Sequence, residues 1–147
     1  MSLALGCDLA IAAAGTRFNL AYINVGTTSD AGASWSLPRI VGLRKALEIS
    51  LLSEMLDVEE AARLGIVNRV VPAEELESAT LQWATKLANG PTHALGSMKR
   101  LMRESYGHSL EQQLAAEKDS FRACTATADF TEAVNAFLQK RPPRYPR

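Results

Sequence analysis

Asp30 lies in the run Ser29-Asp30-Ala31-Gly32-Ala33-Ser34-Trp35-Ser36-Leu37-Pro38-Arg39-Ile40-Val41-Gly42, where one carboxylate precedes an apolar helical stretch and small residues follow it. Negative charge at the head of a helix is favoured by the partial positive charge of the unpaired N–H groups there. Ala31, Gly32 and Ala33 leave room for a ligand to approach, so the segment is suited to present a catalytic acid. The same position also suits an ordinary N-cap, whose side chain closes one orphan N–H of the first turn. On these residues alone both readings stand.

The elements that must position this acid follow from spacing. Residues 3 to 7 read as the tail of a helix, Leu9–Ala13 and Arg17–Leu20 as short strands, and Gly15-Thr16 as the turn between them. Asn24 to Asp30 is polar and carries Gly26, so it forms a loop feeding a helix that begins near Ala31. Pro38 should kink that helix or end its first turn. Leu43, Leu47, Leu51 and Met55 recur every four residues, with Ala46 beside them, and predict an amphipathic helix that buries this face. Asp57 with Glu60 reads as a capping box and Gly65 as a C-terminal stop.

Beyond that point, Ile66 to Val71 predicts a strand closed by Pro72. Leu76, Thr80, Trp83 and Leu87 then align on a helix that Gly90-Pro91 breaks. A further helix runs from Thr92 to about Tyr106, and Ser109 with Gln112 caps the next, which carries Leu110, Leu114 and Phe121. Asp129 with Glu132 reads as a third box opening a last helix, with Phe130, Val134, Phe137 and Leu138 on one face and Pro142-Pro143 ending it.

Composition narrows the function classes. The chain has 147 residues, 47% of them hydrophobic, enough to bury a core, and its 16 basic residues balance 16 acidic ones. Zero net charge supplies no overall field toward nucleic acid or anionic lipid, and no apolar run is long enough to span a bilayer. A cytoplasmic protein is expected, one that binds neither nucleic acid nor membrane. Cys7 and Cys124 are too few for a disulfide framework and lack metal-ligand spacing, so both are expected to be reduced and buried. His93 and His108 lie near helix ends, where capping or surface roles are expected.

Six segments, in order, carry a family resemblance: Ser2-Leu3-Ala4-Leu5-Gly6-Cys7-Asp8-Leu9-Ala10-Ile11-Ala12, Thr16-Arg17-Phe18-Asn19-Leu20, Ile23-Asn24-Val25-Gly26, the Asp30 run, Ala61 to Val71, and Ala136-Phe137-Leu138-Gln139-Lys140-Arg141. The chain resembles the crotonase superfamily, the enoyl-CoA hydratase/isomerase proteins acting on acyl-CoA thioesters. The resemblance implies an α/β fold class, with this chain forming the C-terminal helix-rich part of a crotonase-like fold, short strands followed by helices. Residues 1–72 would be the end of the core with the active-site helix, and 73–147 a helical oligomerisation region. It also implies that strand-rich early repeats and both oxyanion-hole N–H donors precede Met1, so that this polypeptide alone should be a poor catalyst.

For chemistry, the resemblance places the two acids of hydratases at Ser2 and Tyr22, neither of which is a base near neutral pH. Asp30 instead matches the single aspartate of phenylacetyl-CoA-type isomerases and of 4-chlorobenzoyl-CoA dehalogenases. It would shuttle a proton between carbons of an enoyl-CoA or, alternatively, attack carbon as a nucleophile. Tyr22 and Trp35 would line an aromatic acyl pocket beside Gly32, while Phe137 and Lys140 would touch the nucleotide part of coenzyme A. No metal or redox cofactor is implied, coenzyme A entering only as part of the substrate. A homotrimer or hexamer is the implied assembly. A catalytically silent oligomerisation fragment is the non-enzymatic alternative.

Overall fold

The computed structural model describes residues 1–145, and Pro146 and Arg147 of the basic C-terminal tail lie outside the described residues. The described chain forms two units, one from Met1 to Leu81 and one from Gln82 onward.

The first unit opens with α1 (Ser2–Gly6), β1 (Ile11–Ala13), β2 (Arg17–Phe18) and a 3-10 helix, Ala21–Val25. It continues through α2 (Ala33–Val41), α3 (Leu43–Leu52), β3 (Leu56–Asp57), α4 (Val58–Arg63), β4 (Arg69–Val71) and a 3-10 turn at Ala73–Glu75. The helix α5 (Leu76–Ala88) begins in this unit. Two short ladders tie distant pieces together. β1 runs parallel to β4, with Ala12 opposite Val70, and β2 runs antiparallel to β3, with Phe18 opposite Leu56. The β1–β4 ladder is closed at its start by a reciprocal pair, in which Ala10 N–H donates to the Asn68 side chain and Asn68 N–H donates to the Ala10 carbonyl. The strand predicted over residues 66–71 is therefore shorter than its apolar run, because Ile66 and Val67 are buried in the core rather than paired in the ladder.

The core of this unit gathers Leu5, Leu20, Leu37, Ile49, Val58, Ile66 and Val67, with Leu37 and Val58 fully buried. Each such side chain contributes about 1.5–3 kcal/mol by leaving water. In α3 the face that turns inward is Ala46 and Ile49, while Leu43, Leu47, Leu51 and, beyond the helix, Met55 are exposed. The predicted burial of the leucine face is corrected accordingly. A four-residue repeat identifies a helical face, but the side chains that α3, packed against α2, gives to the core are Ala46 and Ile49.

Capping shows where local rules held and where a competing partner won. Asp57 accepts from Glu60 N–H at the head of α4, whereas the Glu60 side chain pairs with Arg63. Glu60 is thereby held below the usual carboxylate range by its hydrogen bond to Arg63. Pro38 sits inside α2 without ending it, and the helix runs on to Val41. Cys7 is exposed and Cys124 half-buried, so the expected burial of both thiols does not hold.

The second unit takes up the rest of α5 and holds α6 (Thr92–Glu104), a 3-10 turn at Ser105–Gly107, α7 (Leu110–Thr125) and α8 (Ala128–Leu138). Ser109 and Gln112 form the full capping box at α7. The last helix is capped by Thr127, whose hydroxyl accepts from Phe130 N–H, not by Asp129, which lies within the first turn. Glu132 is unavailable for a box because Arg141 grips both of its carboxylate oxygens, at 2.6 and 2.9 Å, and Arg144 N–H adds a third bond at 2.7 Å. Those contacts fold the chain beyond α8 back along it. They hold the Glu132 carboxyl at a pKa of about 2, through Arg141 first and Arg144 second. Small residues, Ser97, Ser120 and Ala136, are the ones buried here, while Met98, Met102, Leu114 and Phe121 remain exposed.

Candidate active site

Four small hydrogen bonds set the frame. Ser53 caps the end of α3 in the left-handed conformation, with φ of 51°, and is buried. Its carbonyl accepts from the Asn19 amide at 2.8 Å, and its hydroxyl donates to the Asn19 side-chain oxygen at 3.0 Å, with the Leu20 carbonyl at 3.3 Å. The Asn24 amide donates to the same hydroxyl at 3.1 Å. Asn19 precedes the 3-10 helix that carries Tyr22 and Asn24 lies within it, so Ser53 holds side chains on both sides of Tyr22.

From that helix the Tyr22 hydroxyl reaches two partners. It donates to Asp30 Oδ1 at 2.5 Å and lies 2.9 Å from the hydroxyl of Ser2, which is buried at the start of α1. Asp30 is thus not a cap. The N-cap of α2 is Gly32, with no side-chain cap bond, and the main-chain carbonyl of Asp30 accepts from Ala33 N–H. Of the two readings left open by the sequence, the carboxylate's partner is a phenol rather than a helix N–H. Getting from Asp30 into α2 requires two successive left-handed residues, Ala31 at φ 48° and Gly32 at φ 76°. Glycine is suited to that turn, while alanine adopts it against its own Cβ, at a cost of about 1–2 kcal/mol.

A cleft of about 380 Å³ opens beside this group, lined by Leu20, Tyr22, Ile23 and Leu37 together with Leu43, Leu47 and Leu51 of α3. Thr27, Thr28, Ser29, Ser34 and Ser50 supply its polar edge. Asp30 is exposed next to it, between the lining residues Ser29 and Ala33. Among the described lining residues there is no Asp, Glu or His. The outward leucines of α3 thus form an apolar wall of the cleft.

The sequence-predicted residues separate into groups. Asp30 and Tyr22 come together, while Gly32 is the N-cap of α2 and is not among the cleft's lining residues. Trp35 points elsewhere, 61% exposed on α2, with the Arg39 guanidinium carbon 3.2 Å from its ring centroid and Arg39 Nη1 donating to its carbonyl. It does not line the cleft. Phe137, 82% exposed, and Lys140, just past α8 with φ of 53°, belong to the second unit. Ser2 joins the cluster although it is no acid. Ser53 was not singled out by sequence reasoning, and Asn19 and Asn24 entered only within the segments that carry the family resemblance. The one signal of Ser53 was a polar residue closing an otherwise leucine-rich helix.

The comparisons fit this geometry. A sequence model of the family described as Enoyl-CoA hydratase/isomerase matches residues 1–147. The chain is 38% identical over 144 residues to a 1,2-epoxyphenylacetyl-CoA isomerase of Escherichia coli (strain K12), covering 98% of this chain and 55% of that protein. It is 36% identical over 143 residues to a 2,3-dehydroadipyl-CoA hydratase of the same organism, covering 97% and 56%. The crystal structure of an enoyl-CoA hydratase from Polaromonas sp. JS666 superposes with a TM-score of 0.93 at 37% identity, over 99% of this chain and 56% of that one. The chain spans about half the length of the curated relatives it matches. The helix-rich α/β architecture with its short parallel and antiparallel ladders, and the family match along the whole sequence, establish that the chain belongs to the enoyl-CoA hydratase/isomerase family of the crotonase superfamily.

Proposed function

We propose that the protein acts on acyl-CoA thioesters as an isomerase in which Asp30 carries a proton from one carbon to another. The observation that carries this reading is the acid inventory of the cleft. One carboxylate stands at its edge, and the two positions that the family resemblance aligns with the acids of hydratases are hydroxyls, Ser2 and Tyr22, bonded to each other, with Tyr22 also bonded to Asp30. Adding water across a double bond by two carboxylates needs a second acid to activate the water, whereas moving a double bond needs one base that later acts as an acid.

In that reaction a 3-enoyl-CoA loses a C2 proton to Asp30, and the C2–H electron pair flows into a dienolate of the thioester. Asp30 then returns the proton to C4 and the double bond comes to rest between C2 and C3. The carboxylate ends as it began, and no external oxidant or reductant is consumed. The leucine wall accommodates the acyl chain, and Phe137 with Lys140 is the proposed contact for the nucleotide part of coenzyme A. A homotrimer or hexamer is the proposed assembly, supported by the large apolar side chains left exposed on α7 and α8, among them Leu114, Phe121 and Phe137. No helix among the described residues is long and apolar enough to cross a membrane.

The test is turnover of a 3-enoyl-CoA in deuterated water, followed by NMR of the product. A 2-enoyl product whose C4 carries the hydrogen taken from C2, with little deuterium from the solvent, and whose formation falls by about 10²–10⁴-fold in Asp30→Asn, supports the reading. A 3-hydroxyacyl product overturns it in favour of hydration, and an ester trapped on Asp30 overturns it in favour of nucleophilic attack.

A further inference from the structure

We infer that Ser2, Tyr22 and Asp30 form a one-way hydrogen-bond chain in which Ser2 and Tyr22 are positioning residues that hold the Asp30 carboxylate by its Oδ1 atom and leave Oδ2 to handle the proton. The inference rests on the reading of Asp30 as the proton carrier and adds what orients it.

Counting donors fixes the direction. A carboxylate only accepts, and a phenol has one proton, so the 2.5 Å contact spends the Tyr22 proton on Asp30. The Tyr22 oxygen can then only accept from its second partner, which obliges the Ser2 hydroxyl, 2.9 Å away, to donate. Ser2 is 6% exposed and is therefore shielded from competing water, whereas Asp30 is exposed at the other end. The chain runs from the interior to the cleft edge. Each donated bond polarises the next, so the Ser2 bond strengthens the grip of Tyr22 on the carboxylate. An unrestrained aspartate on an exposed turn would rotate freely. Here Ser53 holds the Asn19 and Asn24 side chains on both sides of Tyr22 and the Leu20 carbonyl before it, so the phenol is a fixed post rather than a second mobile group. Occupation of Oδ1 also keeps a proton taken from carbon on the opposite oxygen, where it can be given back rather than passed inward.

The test labels tyrosine with ¹³C at Cζ, a nucleus that responds to what the hydroxyl donates and accepts. The chain has three tyrosines, so Tyr22→Phe assigns the signal by its disappearance. The inference expects the Tyr22 signal to shift in Asp30→Asn and, with the Asp30 bond intact, also in Ser2→Ala. In kinetics, Tyr22→Phe, which keeps the ring in the cleft wall, should lower kcat about 10–100-fold with KM little changed, and Ser2→Ala should lower it less. A Tyr22 signal unmoved by Ser2→Ala, or wild-type kcat in Tyr22→Phe while Asp30→Asn is inactive, overturns the chain. Full turnover in Asp30→Asn, with the signal shifts as expected, overturns the proton-carrier reading instead and leaves the hydrogen-bond chain in place.

Discussion

Ser53 holds Asn19 from both ends: its carbonyl takes the Asn19 amide proton, and its hydroxyl gives one back to the Asn19 side-chain oxygen. This reciprocal clasp joins the end of α3 to the strand side of the 3-10 helix carrying Tyr22. Ser53→Ala removes the hydroxyl from a buried site and leaves Asn19 and Asn24 short of partners, a loss of about 1–3 kcal/mol in urea unfolding. Ser53→Gly loses the same bonds yet accepts the left-handed backbone, so it should unfold at higher urea than Ser53→Ala. The reverse order would show that backbone conformation contributes nothing there.

Gly32→Ala probes the turn between Asp30 and α2. A Cβ at Gly32 meets open space, so the only penalty is the left-handed φ of 76°, about 1 kcal/mol. Equilibrium unfolding should show that modest loss with α2 intact by circular dichroism. A loss several times larger would mean the site is crowded.

Thr127→Ala should cost about 1 kcal/mol because it removes the cap of α8, whereas Asp129→Ala should cost only the helix-end charge effect, about 0.3–1 kcal/mol. Comparing the two by thermal unfolding checks which residue closes the helix. Equal losses would restore Asp129 to that role.

Stability should depend on acid through Glu132. Its folded pKa, about 2, lies below its ordinary 4.5, so the unfolded chain binds the proton more readily. The contribution of this group is fully present above the ordinary carboxylate range and disappears as pH falls through about 2. Glu132→Gln should flatten the acid limb of a stability-against-pH curve, and added salt should blunt the difference, since the pair is solvent-accessible. Parallel acid limbs in the two proteins would show that Arg141 does not act on Glu132 in solution.

What was legible in the sequence was what depends on near neighbours. The capping box at Ser109 and Gln112, the helix break at Gly90-Pro91 and the end of α4 before Gly65 all follow from residues within a turn of one another. Asp30 was visible as a chemical group, and the family resemblance put Ser2 and Tyr22 at the same site, but the bonds among them were not visible: Tyr22 lies eight residues away and Ser2 twenty further from Tyr22, a distance only tertiary packing closes. The same limit explains Glu132, which suits a box by spacing but is claimed by Arg141 nine residues on. It explains α3 as well, where period alone marked the leucines and the neighbouring helix selected Ala46 and Ile49.

Because Leu43, Leu47 and Leu51 face the cleft while Ile49 is buried in the core, with Ala46 touching both, shape selection and structural integrity fall largely to different side chains of one ten-residue rod. Trimming or bulking the outer side should retune which molecules fit without loosening the scaffold, which makes this helix a natural starting place for redesigning preference.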